Sequence, residues 1–405
     1  MNRTRLLAAA GAATALLLAG ATPAPAAPEK PDRATAAAAP SAGNDVFRVS
    51  VQQTEGLGVG SFTVRTGPAH PAGAGRDVLF GGGVPGTSFM TVRDLTSGVD
   101  YVQSQYLTMP TEIALDSVYW TQSALGTTGF RTHWSTYTDA PGDGKLVQID
   151  QDVVVHGSTV ADSSVEVTTT VTGSTEDTFQ LQYLWDTAAG TDDGPVLQAG
   201  AYNPFATSET REATLSAVDS VALADNEGGP TLTYGLTGTG PARVTPPPTP
   251  PQALQFVCWP RAVGAAPGPY QTDPAIDVAT TGAGCPGPAG PDSAVRYLFA
   301  PAKVGASGVR ASASLFSTTP DPTSITVAPA RLGSPALSAT LTSRGHGVPG
   351  ATLTFAAGGR TLCSAVTNPS GVASCGGLTE GLAALLGYSA SYAGGGIWAG
   401  STGKR

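Results

Sequence analysis

Charged residues are scarce in this chain, at 13% of 405, and Lys and Arg form no cluster along it. That excludes nucleic-acid binding, because phosphate neutralisation needs grouped cations and the formal charge of −9 has the wrong sign. Runs of Ala, Glu, Lys and Leu are missing beyond the N-terminal leader, which excludes a fold built on long surface helices. No apolar run after residue 20 is long enough to cross a bilayer as a helix. The histidines His70, His133, His156 and His346 belong to no His-Glu-x-x-His motif, and no Gly-x-Ser-x-Gly elbow accompanies them. No Cys-x-x-Cys pair with a nearby His offers zinc spacing.

In place of these the chain has Gly (52) and Pro (33), with many Thr, Val and Ser between them. That mixture suits short strands joined by turns. The length leaves room for two domains, each able to bury a core.

The N-terminus sets the expected compartment. Arg3 and Arg5 precede an apolar run from Leu6 to Gly20, and Ala24-Pro25-Ala26 follows as an A-x-A site. This is the build of a secretory signal peptide over residues 1–26, too short for a comfortable membrane span. Residues 27–44 are Ala- and Pro-rich and are expected to form a disordered leader. The mature protein is expected to be secreted and extracellular, with no membrane span. In such an oxidising compartment four cysteines suggest two disulfides, and proximity favours Cys258–Cys285 and Cys363–Cys375.

The most regular stretch runs from Val147 to Asp186. Val147, Ile149, Val153 and Val155 share a parity against Gln148, Asp150 and Asp152. The segment 164–171 alternates in the same way, as do Phe179, Leu181, Tyr183 and Trp185 against Gln180 and Gln182. Period two buries one face and wets the other, the pattern of an antiparallel meander. Further strands are expected at 46–51, 61–66, 87–92, 99–102, 213–222, 231–236, 293–299 and 309–316. The run Pro246 to Pro251 invites a domain boundary, but the strands beyond it read as closing the same sheets. The firmer boundary is Thr319-Pro320-Asp321-Pro322, ahead of a fresh strand at 324–327.

The last segment, 321–405, carries a family resemblance. Gly347-Val348-Pro349-Gly350-Ala351-Thr352-Leu353-Thr354-Phe355 is a Pro-Gly hairpin, Thr367-Asn368-Pro369-Ser370-Gly371-Val372-Ala373 a turn, and Tyr388-Ser389-Ala390-Ser391-Tyr392-Ala393-Gly394 a terminal strand. It resembles the bacterial immunoglobulin-like repeats of secreted and surface proteins, with Gly394-Gly395-Gly396 standing where those have a polar turn. The resemblance implies a β-sandwich that acts as a spacer or adhesive unit. The larger segment, 45–318, resembles exported β-sandwich proteins in which Tyr-Leu-Trp-Asp leads into an Asp-Gly loop, here Tyr183-Leu184-Trp185-Asp186 and Asp192-Asp193-Gly194. Long antiparallel strands of this kind also occur in supersandwich carbohydrate domains similar to galactose mutarotases, an analogy of fold alone.

Chemistry concentrates after Trp185. Asp186, Asp192 and Asp193 place three carboxylates within eight positions. They can hold Ca²⁺, which takes carboxylate and carbonyl oxygens, or act as an acid/base pair on a sugar, or simply cap a strand end and an Asp-Asp-Gly turn. Tyr119, Trp120, Trp134, Tyr137 and Trp185 can form a sugar-stacking platform or fill the core, and because Tyr119 and Trp120 are neighbours, one of them must face outward. His133 and His156 can meet as a general base, although a lone His on a sheet is more often structural. Cys258-Trp259-Pro260 reads as a stapled loop rather than a reactive thiol.

The expectation is an all-β exported protein, a large antiparallel sandwich followed by an immunoglobulin-like one. Its leading function is non-catalytic surface interaction or adhesion with a surface protein or glycan. Competing readings are a carbohydrate-binding or carbohydrate-active protein using the Asp-rich loop with Trp120 and Trp134, and a Ca²⁺-stabilised scaffold.

Overall fold

The computed structural model describes residues 39–81, 85–103, 112–137, 146–191, 193–199, 203–204, 213–215, 220–224, 232–239, 244–259, 292–318, 322–330, 336–343, 345–377, 387–394 and 398–405. The expected signal peptide, most of the leader, Asp192, Cys285 and the side chain of Cys258 lie outside them. The expected Cys258–Cys285 bridge therefore falls outside as well.

The protein is all-β. One continuous hydrophobic core draws on residues from Ala42 to Leu315, and a separate one on residues from Val327 to Tyr392.

Three sheets surround the larger core. A nine-stranded sheet runs in the order Asn203–Pro204, Val196–Ala199, Ser220–Ala224, Thr233–Thr237, Val309–Ser317, Ser164–Thr172, Leu146–His156, Gly129–Tyr137 and Tyr119–Leu125. An eight-stranded sheet runs Ala213–Leu215, Ala253–Cys258, Ser293–Leu298, Thr178–Asp186, Phe89–Asp94, Val99–Val102 and Glu112–Ala114, with Ala302–Lys303 beside Thr178–Asp186. The four strands Ser41–Gly43, Phe47–Val51, Phe62–Thr66 and Asp77–Leu79 form the third. Pairing in these sheets is antiparallel except between Val99–Val102 and Glu112–Ala114, which run parallel.

Alternation works as its chemistry demands in Leu146–His156, where Val147, Ile149, Val153 and Val155 are buried while their neighbours reach water. Gln151 shares the buried parity, and its amide Nε2 donates to the Gly60 carbonyl at 2.6 Å, which satisfies it inside the core. The expected meander, however, does not continue. Thr178–Asp186 leaves the sheet of its two predecessors for the centre of the opposite one, and it is buried on both faces. Tyr183 spans the gap between the sheets, its hydroxyl donating to the Ala311 carbonyl at 2.9 Å and lying 3.0 Å from Thr169 Oγ1. Behind the strand, Leu184 joins Phe89, Val257, Trp259 and Ala294 in a second, small apolar cluster. Period two alone cannot separate a strand with one wet face from one whose second face a further layer covers.

The leader also ends earlier than expected. Ser41–Gly43 is a strand paired to Phe47–Val51, and Asn44 holds the corner between them. Its Oδ1 accepts from the Val46 and Phe47 amides at 2.8 and 2.9 Å, while its Nδ2 donates to the Gly157 carbonyl at 3.0 Å. The run Pro246 to Pro251 lies inside the larger unit, where the Thr249 amide donates to the Ser312 carbonyl at 3.0 Å.

The smaller unit pairs Thr323–Val327, Leu337–Ser343, His346–Gly347 and Val372–Cys375 in one sheet, and Arg360–Val366, Thr352–Ala357, Ser389–Tyr392 and Ser401–Lys404 in another. Cys363 and Cys375 are bonded across the two sheets, with Cα atoms 6.1 Å apart and a separation of 12 residues. Closing a loop of that size restricts the unfolded chain by roughly 3 kcal/mol. Replacing both with Ser is expected to lower the stability of this unit by about that amount, read by urea titration with and without reductant. A reductant effect that persists in the double variant would show that this bridge is not its source.

Candidate functional site

The site forms where Thr178–Asp186 ends. Asp186 stands opposite Ala294 of Ser293–Leu298, so the register brings the residue just before that strand, Asp292, to the same place. Backbone bonds fix the surroundings. The Asp186 amide donates to Ser88 Oγ at 2.9 Å, the Phe80 amide donates to the Asp186 carbonyl at 3.0 Å, and Thr187 Oγ1 donates to the Ser293 carbonyl at 2.9 Å. The chain then turns through Gly190 and returns, and the Ser293 amide donates to the Asp193 carbonyl at 3.1 Å. The Trp259 amide donates to the Asp292 carbonyl, also at 3.1 Å.

Asp186, Asp193 and Asp292 each place one carboxylate oxygen within 4.8 Å of the others. Asp186 is fully buried and Asp292 is 5% exposed, so water does little to screen those two, while Asp193 is half-buried. Like charges at that distance repel, and a neighbouring positive charge, from a side chain or a bound cation, offsets the repulsion. The donor set is all oxygen, which suits a hard cation. Three oxygens at such mutual distances can each stand about 2.8 Å or less from a common centre, close to the 2.3–2.6 Å of Ca–O bonds. Arg76 brings a fixed charge to the same loop, since a Cβ on Gly190 would stand 2.7 Å from its Nη2.

Of the residues expected here from sequence, Asp186 and Asp193 come together, Asp192 lies outside the described residues, and Asp292 was missed. Its sequence signal is slight: one carboxylate one position ahead of a strand, 106 residues from Asp186.

No family model matches the chain, and no curated protein matches it. Among solved structures it is compared with one described as "Ca2+-stabilized adhesin helps an Antarctic bacterium reach out and bind ice", at 12% identity over 90% of this chain and 99% of that one, with a TM-score of 0.17. At that TM-score the two backbones do not superpose, and the likeness supports nothing about this chain.

The sugar-stacking platform is corrected at Trp134 and Trp185, both 0% exposed. Trp134 presses on Gly60, where a Cβ would stand 2.3 Å from its Cζ2. Trp185 packs against Tyr297 with ring centroids 4.9 Å apart. Trp120 is half-buried, cross-strand from Trp134, and its Nε1 donates to Glu55 Oε1 at 3.4 Å. Tyr119, at 67% exposure, is the outward one of the neighbouring pair.

His133 and His156 do not meet. His133 faces Asp150, its Nδ1 2.8 Å from Oδ1, while His156 Nε2 lies 3.0 Å from Glu166 Oε2. Position 150 is six residues from 156 on one strand, about 20 Å along it. Each histidine is a separate rung on the sheet's wet face.

Proposed function

We propose that this chain is an exported, non-catalytic protein of the cell exterior, a β-sheet scaffold for surface interaction whose larger unit is fixed by a bound Ca²⁺. The observation that carries the reading is the convergence of Asp186, Asp193 and Asp292 from three chain segments on one shielded point. Their burial beside the fully buried Trp185 suits a structural cation better than a sugar, which needs an open cleft and an exposed ring. Export is supported by the signal-like leader and by the Cys363–Cys375 bridge. The smaller unit, read as an immunoglobulin-like module, serves as a spacer or adhesive unit.

Thermal melts in excess Ca²⁺ and in chelator test this. A ligand at a hundred times its Kd stabilises by about 2.7 kcal/mol, roughly 5–10 °C for a unit of this size. Asp292→Asn is expected to abolish the shift. Equal melting temperatures with Ca²⁺ and with chelator would overturn the cation reading. Binding on a glycan array that Asp292→Asn removes would replace the structural cation with a sugar site.

A further inference from the structure

Every open sheet has two edges, and each edge strand offers a row of backbone N–H and C=O groups to any extended chain. In this protein the edges among the described residues are blunted, with one exception. Asn203–Pro204 is two residues long and holds a proline, and Ala213–Leu215, Glu112–Ala114, Ser41–Gly43 and Asp77–Leu79 have three residues each. In the smaller unit Arg360–Val366 begins on a charge, pairs through a register shift and is bonded to the facing sheet through Cys363, while Ser401–Lys404 is short and carries a lysine. In its other sheet His346–Gly347 has two residues and Val372–Cys375 is tied down through Cys375. The uncharged Thr323–Val327 is covered by the last segment of the chain, Thr323 Oγ1 donating to the Ala399 carbonyl at 2.7 Å and a Cβ on Gly403 standing 2.5 Å from the Ile325 carbonyl oxygen.

The exception is Tyr119–Leu125, Tyr-Trp-Thr-Gln-Ser-Ala-Leu. It runs seven residues at the end of the nine-stranded sheet with no charge, no proline, no glycine and no register shift. Among the described residues it pairs with Gly129–Tyr137 alone, and Tyr119, Thr121, Ser123 and Ala124 are exposed.

We propose that this edge is a strand-pairing interface and that its occupant is a second copy of the same strand, antiparallel about a two-fold axis at Gln122. The sequence is self-complementary in that register. Tyr119 falls opposite Leu125 of the second copy, Trp120 opposite Ala124, Thr121 opposite Ser123, and Gln122 opposite itself, so apolar meets apolar and polar meets polar. Two copies of a chain with formal charge −9 repel in general, and a neutral strand is where that repulsion is least. On the next strand inward the polar side chains already have partners, Arg131 pairing with Asp152 at 2.6 Å and His133 Nδ1 lying 2.8 Å from Asp150 Oδ1. A seven-residue ladder buries well under the ~800 Å² per partner of a stable complex, so the pairing is weak and gains strength where many copies share a surface. This inference is independent of the Ca²⁺ reading.

The test is sedimentation velocity on the full chain from about 1 to 500 µM, in Ca²⁺ and in chelator, with amide exchange read at both ends of the range. Concentration-dependent doubling of mass is expected in both buffers, with protection of 119–125 amides gained at the high end. The double variant Thr121→Lys with Ser123→Lys sets like charges across the axis and is expected to weaken association at least tenfold. Thr121→Glu with Ser123→Lys sets opposite charges across it and is expected to restore pairing. A monomer throughout overturns the proposal. So does association that the two-lysine variant leaves intact, or a charge-swapped variant that fails to pair. Should the variants misfold by circular dichroism, the exchange pattern of the unaltered chain decides: no added protection at 119–125 overturns the pairing.

Discussion

Trp185→Ala is expected to cost the larger unit about 3–5 kcal/mol, at the upper end of the range for a large ring removed from a core. The ring is fully buried and contacted on three sides: Tyr297 at 4.9 Å between centroids, Phe62 edge-on at 5.9 Å and Tyr183 stacked at 6.0 Å. Phe62 belongs to the four-stranded sheet and the tyrosines to the eight-stranded one, so one substitution loosens two layers at once. Aromatic pairs add about 0.5–1.5 kcal/mol each beyond the area they bury, and the neighbours cannot close the void without moving their strands. Against a typical net stability of 5–15 kcal/mol the loss is large. Urea unfolding measures it, with Trp120→Ala as the comparison, since that half-buried ring should cost well under half as much. A Trp185→Ala loss below that of Trp120→Ala would show that the layers are not joined through this ring.

The second large effect is hidden in a balance. Asp100 is 1% exposed, and desolvation pushes its carboxyl up to about 6, although Arg93 Nε lies 2.8 Å from its Oδ1 and pulls the other way. His70 is 5% exposed, and burial, aided by the Arg76 charge, pushes its imidazole down to about 4. Asp100 holds its proton more tightly in the folded state, so its contribution is full below the ordinary carboxylate range and is lost as pH rises to 6. His70 holds its proton less tightly when folded, so its contribution is full above 6.5 and is lost as pH falls to 4. Each shift is worth about 3 kcal/mol, and over pH 4–6.5 the two slopes oppose. Asp100→Asn should therefore expose a stability that climbs by roughly 3 kcal/mol from pH 4 to 6.5, and His70→Gln one that falls over the same window. Parallel pH profiles for both variants and the unaltered chain would refute the balance.

Strand positions were legible because period-two burial needs only local information. Leu146–His156, Ser164–Thr172 and Val309–Ser317 all stand within a residue or two of their expected bounds. Which sheet a strand joins was not legible, since Phe179, Leu181, Tyr183 and Trp185 alternate whether the other side meets water or a second cluster around Leu184. The carboxylate site was half visible for the same reason. Asp186 and Asp193 are close along the chain, but Asp292 reaches them through the pairing of Asp186 with Ala294, a long-range register that composition does not encode. The aromatic rings divided by parity: Tyr119 outward, Trp134 inward against a Gly60 whose φ of +87° leaves no room for a side chain.

The position of Thr178–Asp186 has a consequence for how the molecule is made. Its neighbour Ser293–Leu298 and the Ala311 carbonyl that Tyr183 reaches lie more than a hundred residues later, and Ser164–Thr172 likewise waits for Val309–Ser317. Loop closure over such spans makes these pairings slow, whereas the hairpins between Tyr119 and Thr172 need no residue beyond 172. Until about residue 298 is available, Thr178–Asp186 holds only its earlier partner Phe89–Asp94, and its other edge stays open to wrong pairing while the larger unit folds.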